Sequence, residues 1–116
     1  MTYELKENRL DSELLAPAIL QADGSVIYRE AVKNGGTLRV PVISQAQAGD
    51  TLTVQLKANG TWSSDVLFTE VNLGEALDFN VRYQSFSEGN SAVASYSLKQ
   101  GADRFFSPER SYDLKD

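Results

Sequence analysis

The segment LRVPVISQAQAGDTLTVQLKANGTW, Leu38–Trp62, decides the fold class. Leu38, Val40 and Val42 alternate with Arg39 and Pro41, and Leu52, Val54 and Leu56 alternate with Thr51, Thr53, Gln55 and Lys57. Side chains along a strand point to opposite faces in turn, so this period of two marks strands with one wet face and one buried face. Pro41 has no N–H to give a ladder, so its strand is expected to run along an edge there or to carry a bulge. SQAQAGD, residues 44–50, supplies the connection. Asn59-Gly60 matches the two-residue hairpin turn of type I′, whose central residues both take positive φ, and Trp62 begins the returning strand.

The punctuation continues on both sides of this segment. Upstream, Pro17 opens AILQA, Asp23-Gly24 closes it with a turn, Val26–Tyr28 forms a second short strand segment, and Asn34–Gly36 is a further break. Downstream, Val66, Phe68 and Val71 are apolar positions ahead of a turn at residues 72–76. Leu77, Phe79, Val81 and Tyr83 then alternate with Asp78, Asn80, Arg82 and Gln84. Ala92, Ala94, Tyr96 and Leu98 make another strand, and after a turn at Gln100–Asp103 the last strand is interrupted near Pro108 and resumes at Ser111–Leu114. Leu10 and Leu14 lie one helical turn apart, which leaves a short helix and an extended arm both open for residues 1–15. Leu10, Leu14 and Leu15 have a spacing suited to docking as one face.

About seven strands, with turn signals roughly every 8 to 12 residues, fit an antiparallel sandwich of immunoglobulin type, a closed barrel being the alternative. The domain is expected over residues 16–116, preceded by an arm or linker at 1–15. Leu52, Val54, Leu56, Leu77, Phe79 and Val81 are expected to face one core between two sheets, joined there by Tyr83 and Tyr96.

Val40-Pro41, Ala48-Gly49-Asp50 leading into an alternating strand, Phe79-Asn80-Val81 and Ser95-Tyr96-Ser97-Leu98 are turn and core motifs. Taken over Pro17 to Leu114, the chain resembles the immunoglobulin-like repeat modules of large bacterial surface and adhesin-like proteins. Those modules carry a tryptophan late in the strand that follows the Gly-Asp turn; here Leu56 stands in that place and Trp62 lies beyond the Asn-Gly turn. The resemblance implies a non-catalytic structural or adhesive module at a bacterial cell surface, or secreted within a longer chain, that contacts a protein, a cell-surface glycan or neighbouring repeats.

With 116 residues the chain is sized for one domain. A net charge of -5 and scattered basic residues (Lys57, Lys99, Arg104 and Arg110) argue against nucleic acid and anionic membranes as partners. No apolar run approaches the roughly 18 residues of a membrane span. There is no His and no Cys, which removes the commonest general base, the commonest zinc ligands and the thiol nucleophile. No enzyme activity and no cofactor are therefore expected.

Carboxylates remain. A pair among Asp23, Asp50, Asp65, Asp103 and Glu109 is the minimum for acid and base in glycoside hydrolysis. The four aspartates are also weak calcium candidates, although the chain lacks the alternating Asp/Asn calcium loop. For Asp23 and Asp50 the simpler reading is a turn residue bonding nearby backbone. Asn59-Gly60-Thr61 fits a glycosylation acceptor, but the hairpin turn already accounts for it. Trp62, Phe86, Phe105 and Phe106 lie beside turns and are the candidate contact residues for a sugar or a partner protein. Two further readings stay open: a self-standing accessory or decoration subunit of a larger assembly such as a phage particle or secretion machine, in a virion or cytoplasmic assembly and with self-association, and a carbohydrate-binding module.

Overall fold

The computed structural model describes residues 14–58 and 60–116. Expectations about residues 1–13, Leu10 among them, and about the conformation or glycosylation of Asn59 lie outside the described residues. Nine strand segments form among the described residues: β1 (Ala18–Ile19), β2 (Val26–Tyr28), β3 (Gly36–Val40), β4 (Thr51–Ala58), β5 (Gly60–Leu67), β6 (Leu77–Val81), β7 (Ser91–Gln100), β8 (Asp103–Phe106) and β9 (Arg110–Lys115). They build two sheets packed as a sandwich, one ordered β1-β3-β6 and the other β2-β9-β7-β4-β5, with β8 also on β7. Every pairing is antiparallel except β2 with β9, which is parallel.

Nine segments replace the expected seven or so because two strands are broken. The Asp23-Gly24 turn, closed by reciprocal backbone bonds between Asp23 and Val26, moves the chain from β1 in the small sheet to β2 in the large one. At the other end of the chain, Ser107–Glu109 separates β8 from β9, and both lie along the same edge of β7. Pro108 cannot donate to the ladder, and Ser107 bridges the gap. Its N–H bonds the Tyr96 carbonyl at 2.9 Å, while its hydroxyl accepts the Tyr96 N–H at 3.0 Å, a bond that a main-chain carbonyl makes in an unbroken strand.

The alternation read from the sequence governs the core. Leu52, Val54 and Leu56 of β4 are buried, as are Ala92, Ala94, Tyr96 and Leu98 of β7, and Thr53 and Gln55 lie on the opposite face. β6 follows the pattern less fully. Val81 is buried, but Leu77 and Phe79 are only partly so, because β6 is the edge of the small sheet. Arg39 and Asp78, directly opposite on the outer face of β3 and β6, form a two-pronged ion pair at 2.8 and 3.0 Å. The guanidinium holds the Asp78 carboxyl below its usual range.

Three sequence expectations are corrected. β3 neither runs along an edge at Pro41 nor bulges: it lies between β1 and β6 and ends at Val40, so the proline falls outside the ladder and Val42 is exposed. Tyr83 does not continue β6; the chain turns into a short 3-10 segment at Tyr83–Ser85, leaving the ring half-buried. The β4–β5 hairpin pairs Lys57 with Thr61 and Ala58 with Gly60, whereas a two-residue turn at Asn59-Gly60 would pair Ala58 with Thr61. A slip of one residue exchanges the faces of a strand. In the observed register Trp62, Ser64 and Val66 turn inward, and Ser63, Asp65 and Leu67 turn outward.

Two tyrosines of the large sheet tie down the incoming chain. The Ile19 N–H donates to the Tyr112 hydroxyl at 3.0 Å, and the Tyr96 hydroxyl donates to the Leu15 carbonyl at 2.5 Å. Beside them Leu14 is buried while Leu15 is exposed, so only one of the two leucines docks. Burial pushes the Tyr96 phenol up to about 12.

Candidate binding face

The outer face of the large sheet has a regular build. Pairing sets Asp65, Thr53, Ser97 and Phe106 in one row across β5, β4, β7 and β8; the next row toward the β4–β5 hairpin is Ser63, Gln55 and Ser95. Strand alternation forces this composition, since the residues between these turn inward as core. Ser97 is nearly buried although it faces outward, because Phe106 and Arg104 lie beside it.

A shallow depression of about 200 Å3 opens on this face. Its floor is Thr53, Gln55, Ser95 and Ser97, and its rim is Arg104, Phe106, Ser107 and Glu109. Phe106 is 64% exposed. Arg104 reaches the Ser97 hydroxyl at only 3.4 Å, near the outer limit of a hydrogen bond, and neither Arg104 nor Glu109 forms an ion pair among the described residues. The depression thus offers hydroxyls, an amide, one cation, one anion and one open aromatic face.

The four aromatic candidates separate. Phe105 and Phe106 are consecutive on β8, so one turns inward against the core and the other outward. Trp62 faces inward on β5 and meets Phe79 edge to face, with ring centroids 6.1 Å apart and planes at 71°. Phe86 is wholly buried. Its ring covers Gly36, where an added Cβ would lie 3.0 Å from ring atoms Cε2 and Cζ. Phe86 is thus a core residue and takes no part in an exposed platform. Of the four, Phe106 alone presents an open ring.

The acidic candidates are not brought together, and no group of three or more potential metal ligands forms among the described residues. Asp50 is nearly buried, and its Oδ2 accepts the Gln47 N–H and the Gln100 side-chain amide, both at 2.8 Å. That is the turn role expected of it, with a link to the β7–β8 turn in addition. Asp23 sits in the exposed turn after β1, Asp65 on the outer face of β5 and Asp103 at the start of β8. Sequence reasoning missed the floor of the depression. Thr53, Gln55, Ser95 and Ser97 read as the wet side of ordinary strands, and only the pairing of β4, β7 and β8 makes them neighbours of Phe106.

A second feature lies at one pole. β3 ends there, β4 and β6 begin there, β5 ends there, and the chain enters β1 there. Exposed Leu15, Val42, Leu67 and Val71 all belong to this pole, whereas β9 ends at the opposite one, beside the start of β7. No described helix is long and apolar enough to cross a membrane. Compared with family models, curated proteins and solved structures, the chain matches none.

Proposed function

We propose that this chain is a non-catalytic immunoglobulin-like module that makes contact with a protein or glycan at a cell surface. The observation that carries the reading is the strand order. The first strand is divided between the sheets, β1 against β3 and β2 parallel to β9, around a β1-β3-β6 sheet and a β9-β7-β4-β5 sheet. This arrangement supports the immunoglobulin type over a closed barrel, because β5 and β6 are free edges among the described residues. The chain also enters at one pole and leaves at the other, a geometry suited to modules strung end to end.

The test is retention of the fluorescently labelled chain on intact bacterial and animal cells, before and after surface proteolysis and before and after periodate oxidation of glycans. Saturable binding lost on one treatment identifies the class of partner; absence of saturable binding to any surface counts against the reading. A second reading, a subunit of an assembly, is favoured by the apolar pole. It predicts an oligomer by light scattering that Val42→Asp with Val71→Asp dissociates without loss of fold.

A further inference from the structure

The depression around Phe106 has a composition that selects among ligands, and this step rests on the contact-module reading. We infer that it is a subsite for one neutral pyranose ring, with the apolar face of the sugar on Phe106 and its hydroxyls divided between Arg104, Glu109 and the floor of Gln55, Ser95 and Ser97. Four observations lead there.

The exposed aromatic ring is the first. A phenylalanine on an otherwise hydroxyl-bearing face presents a flat surface with a partial negative charge, and the C–H groups on one side of a pyranose are its complement. The second is the mixed floor. Serine and threonine hydroxyls and a glutamine amide both donate and accept, as sugar hydroxyls do.

The third is the charge arrangement. Arg104 and Glu109 flank the same depression with no ion-pair partner among the described residues. Glu109 repels an anion and Arg104 a cation. Neighbouring hydroxyls on a ring match the forked geometry of both a guanidinium and a carboxylate, which satisfies the two side chains at once without net charge. The fourth is size. At about 200 Å3 the depression is smaller than the roughly 300 to 1,000 Å3 of clefts that enclose a drug-sized ligand, so it fits a single ring in an exposed chain rather than a swallowed substrate.

Backbone amide chemical shifts of the full chain, titrated with the methyl glycosides of glucose, galactose, mannose and N-acetylglucosamine, test this directly; methyl glucuronide and an Asp/Glu-rich peptide are the controls. The expected result is saturable shifts with at least one neutral glycoside, confined to residues 53–55, 95–97 and 104–109 and stronger than with either control. Phe106→Ala should weaken binding by about tenfold, the scale of a lost aromatic contact. Its exposure lets the fold survive, which the unchanged remainder of the spectrum verifies. Glu109→Gln should weaken neutral-sugar binding and narrow the gap to the glucuronide. No saturable shift with any of the four neutral glycosides, equal binding by Phe106→Ala, or preference for the glucuronide or the peptide would overturn the inference. Retention of Phe106→Ala on cells at the unaltered level would remove the sugar site and leave the contact module standing.

Discussion

At the scale of the residue, one strand contains its own control. Val54 is buried and Thr53 lies on the outer face of the same strand. Val54→Ala should lower unfolding free energy by about 2 kcal/mol or more, and Thr53→Ala by about 1 kcal/mol or less, read from urea midpoints. Gly36→Ala is a sharper probe, because its new methyl must displace the Phe86 ring; a cost of about 1 to 3 kcal/mol is expected. Tyr96 adds a pH signature. Its pKa in the folded chain lies near 12, above the ordinary phenol value, so the stabilisation is complete below about pH 10 and is lost as pH rises through 12. The folded chain should lose stability progressively across that window, read from urea midpoints at about pH 9 and pH 12. Tyr96→Phe should be less stable at neutral pH, having lost the bond to the Leu15 carbonyl, and its stability should change less between about pH 10 and 12.

Among elements, legibility depended on whether local pattern or partner decided the outcome. β4 and β7 were readable because their inward residues alternate without interruption over a length that only a strand between two neighbours can satisfy. The β4–β5 hairpin was recognised from Asn59-Gly60, but its register was not, since one residue of slip leaves the hydropathy of the turn unchanged while reversing Trp62. The place of Phe86 is open in the sequence for a related reason: nothing near it says that Gly36, fifty positions earlier, leaves room for its ring. The candidate binding face around Phe106 draws on β4, β7 and β8 and has no local signature at all. Ser107 is the element-scale test. Its hydroxyl completes the β7 ladder where Pro108 breaks the partner strand, so Ser107→Ala strands the buried Tyr96 N–H and should cost about 1 to 3 kcal/mol. Amide exchange at Tyr96 should quicken well beyond that of its neighbours.

At the level of the whole molecule, the two poles differ in kind. The entry pole bears Leu15, Val42, Leu67 and Val71, while the exit pole bears Arg29, Lys33, Glu30 and Asp116 around a polar hollow. If modules meet end to end, the apolar pole is the surface that association would cover, and Val71, 85% exposed, is its most prominent point. Fusing two copies in tandem should therefore raise the melting temperature of the pair above that of the single chain, and Val71→Asp should cancel the gain.

The parallel pairing of β2 with β9 also has a mechanical meaning. Both strands run from the entry pole toward the exit pole, and three residue pairs, Val26 with Asp113, Ile27 with Leu114 and Tyr28 with Lys115, zip the first segment of the large sheet to the last. Tension drawing the two ends of the domain apart pulls β2 one way and β9 the other. The ladder is then loaded along the strands, where its hydrogen bonds must rupture together rather than one after another. Arg29, held by the Phe86 and Gly89 carbonyls and paired at 2.8 Å with Asp116, rivets the last residue to the same corner. Such a domain resists stretching from its ends far better than peeling of β5 from its edge, and replacing Ile27 with proline, which deletes a rung, should lower the force at which it yields.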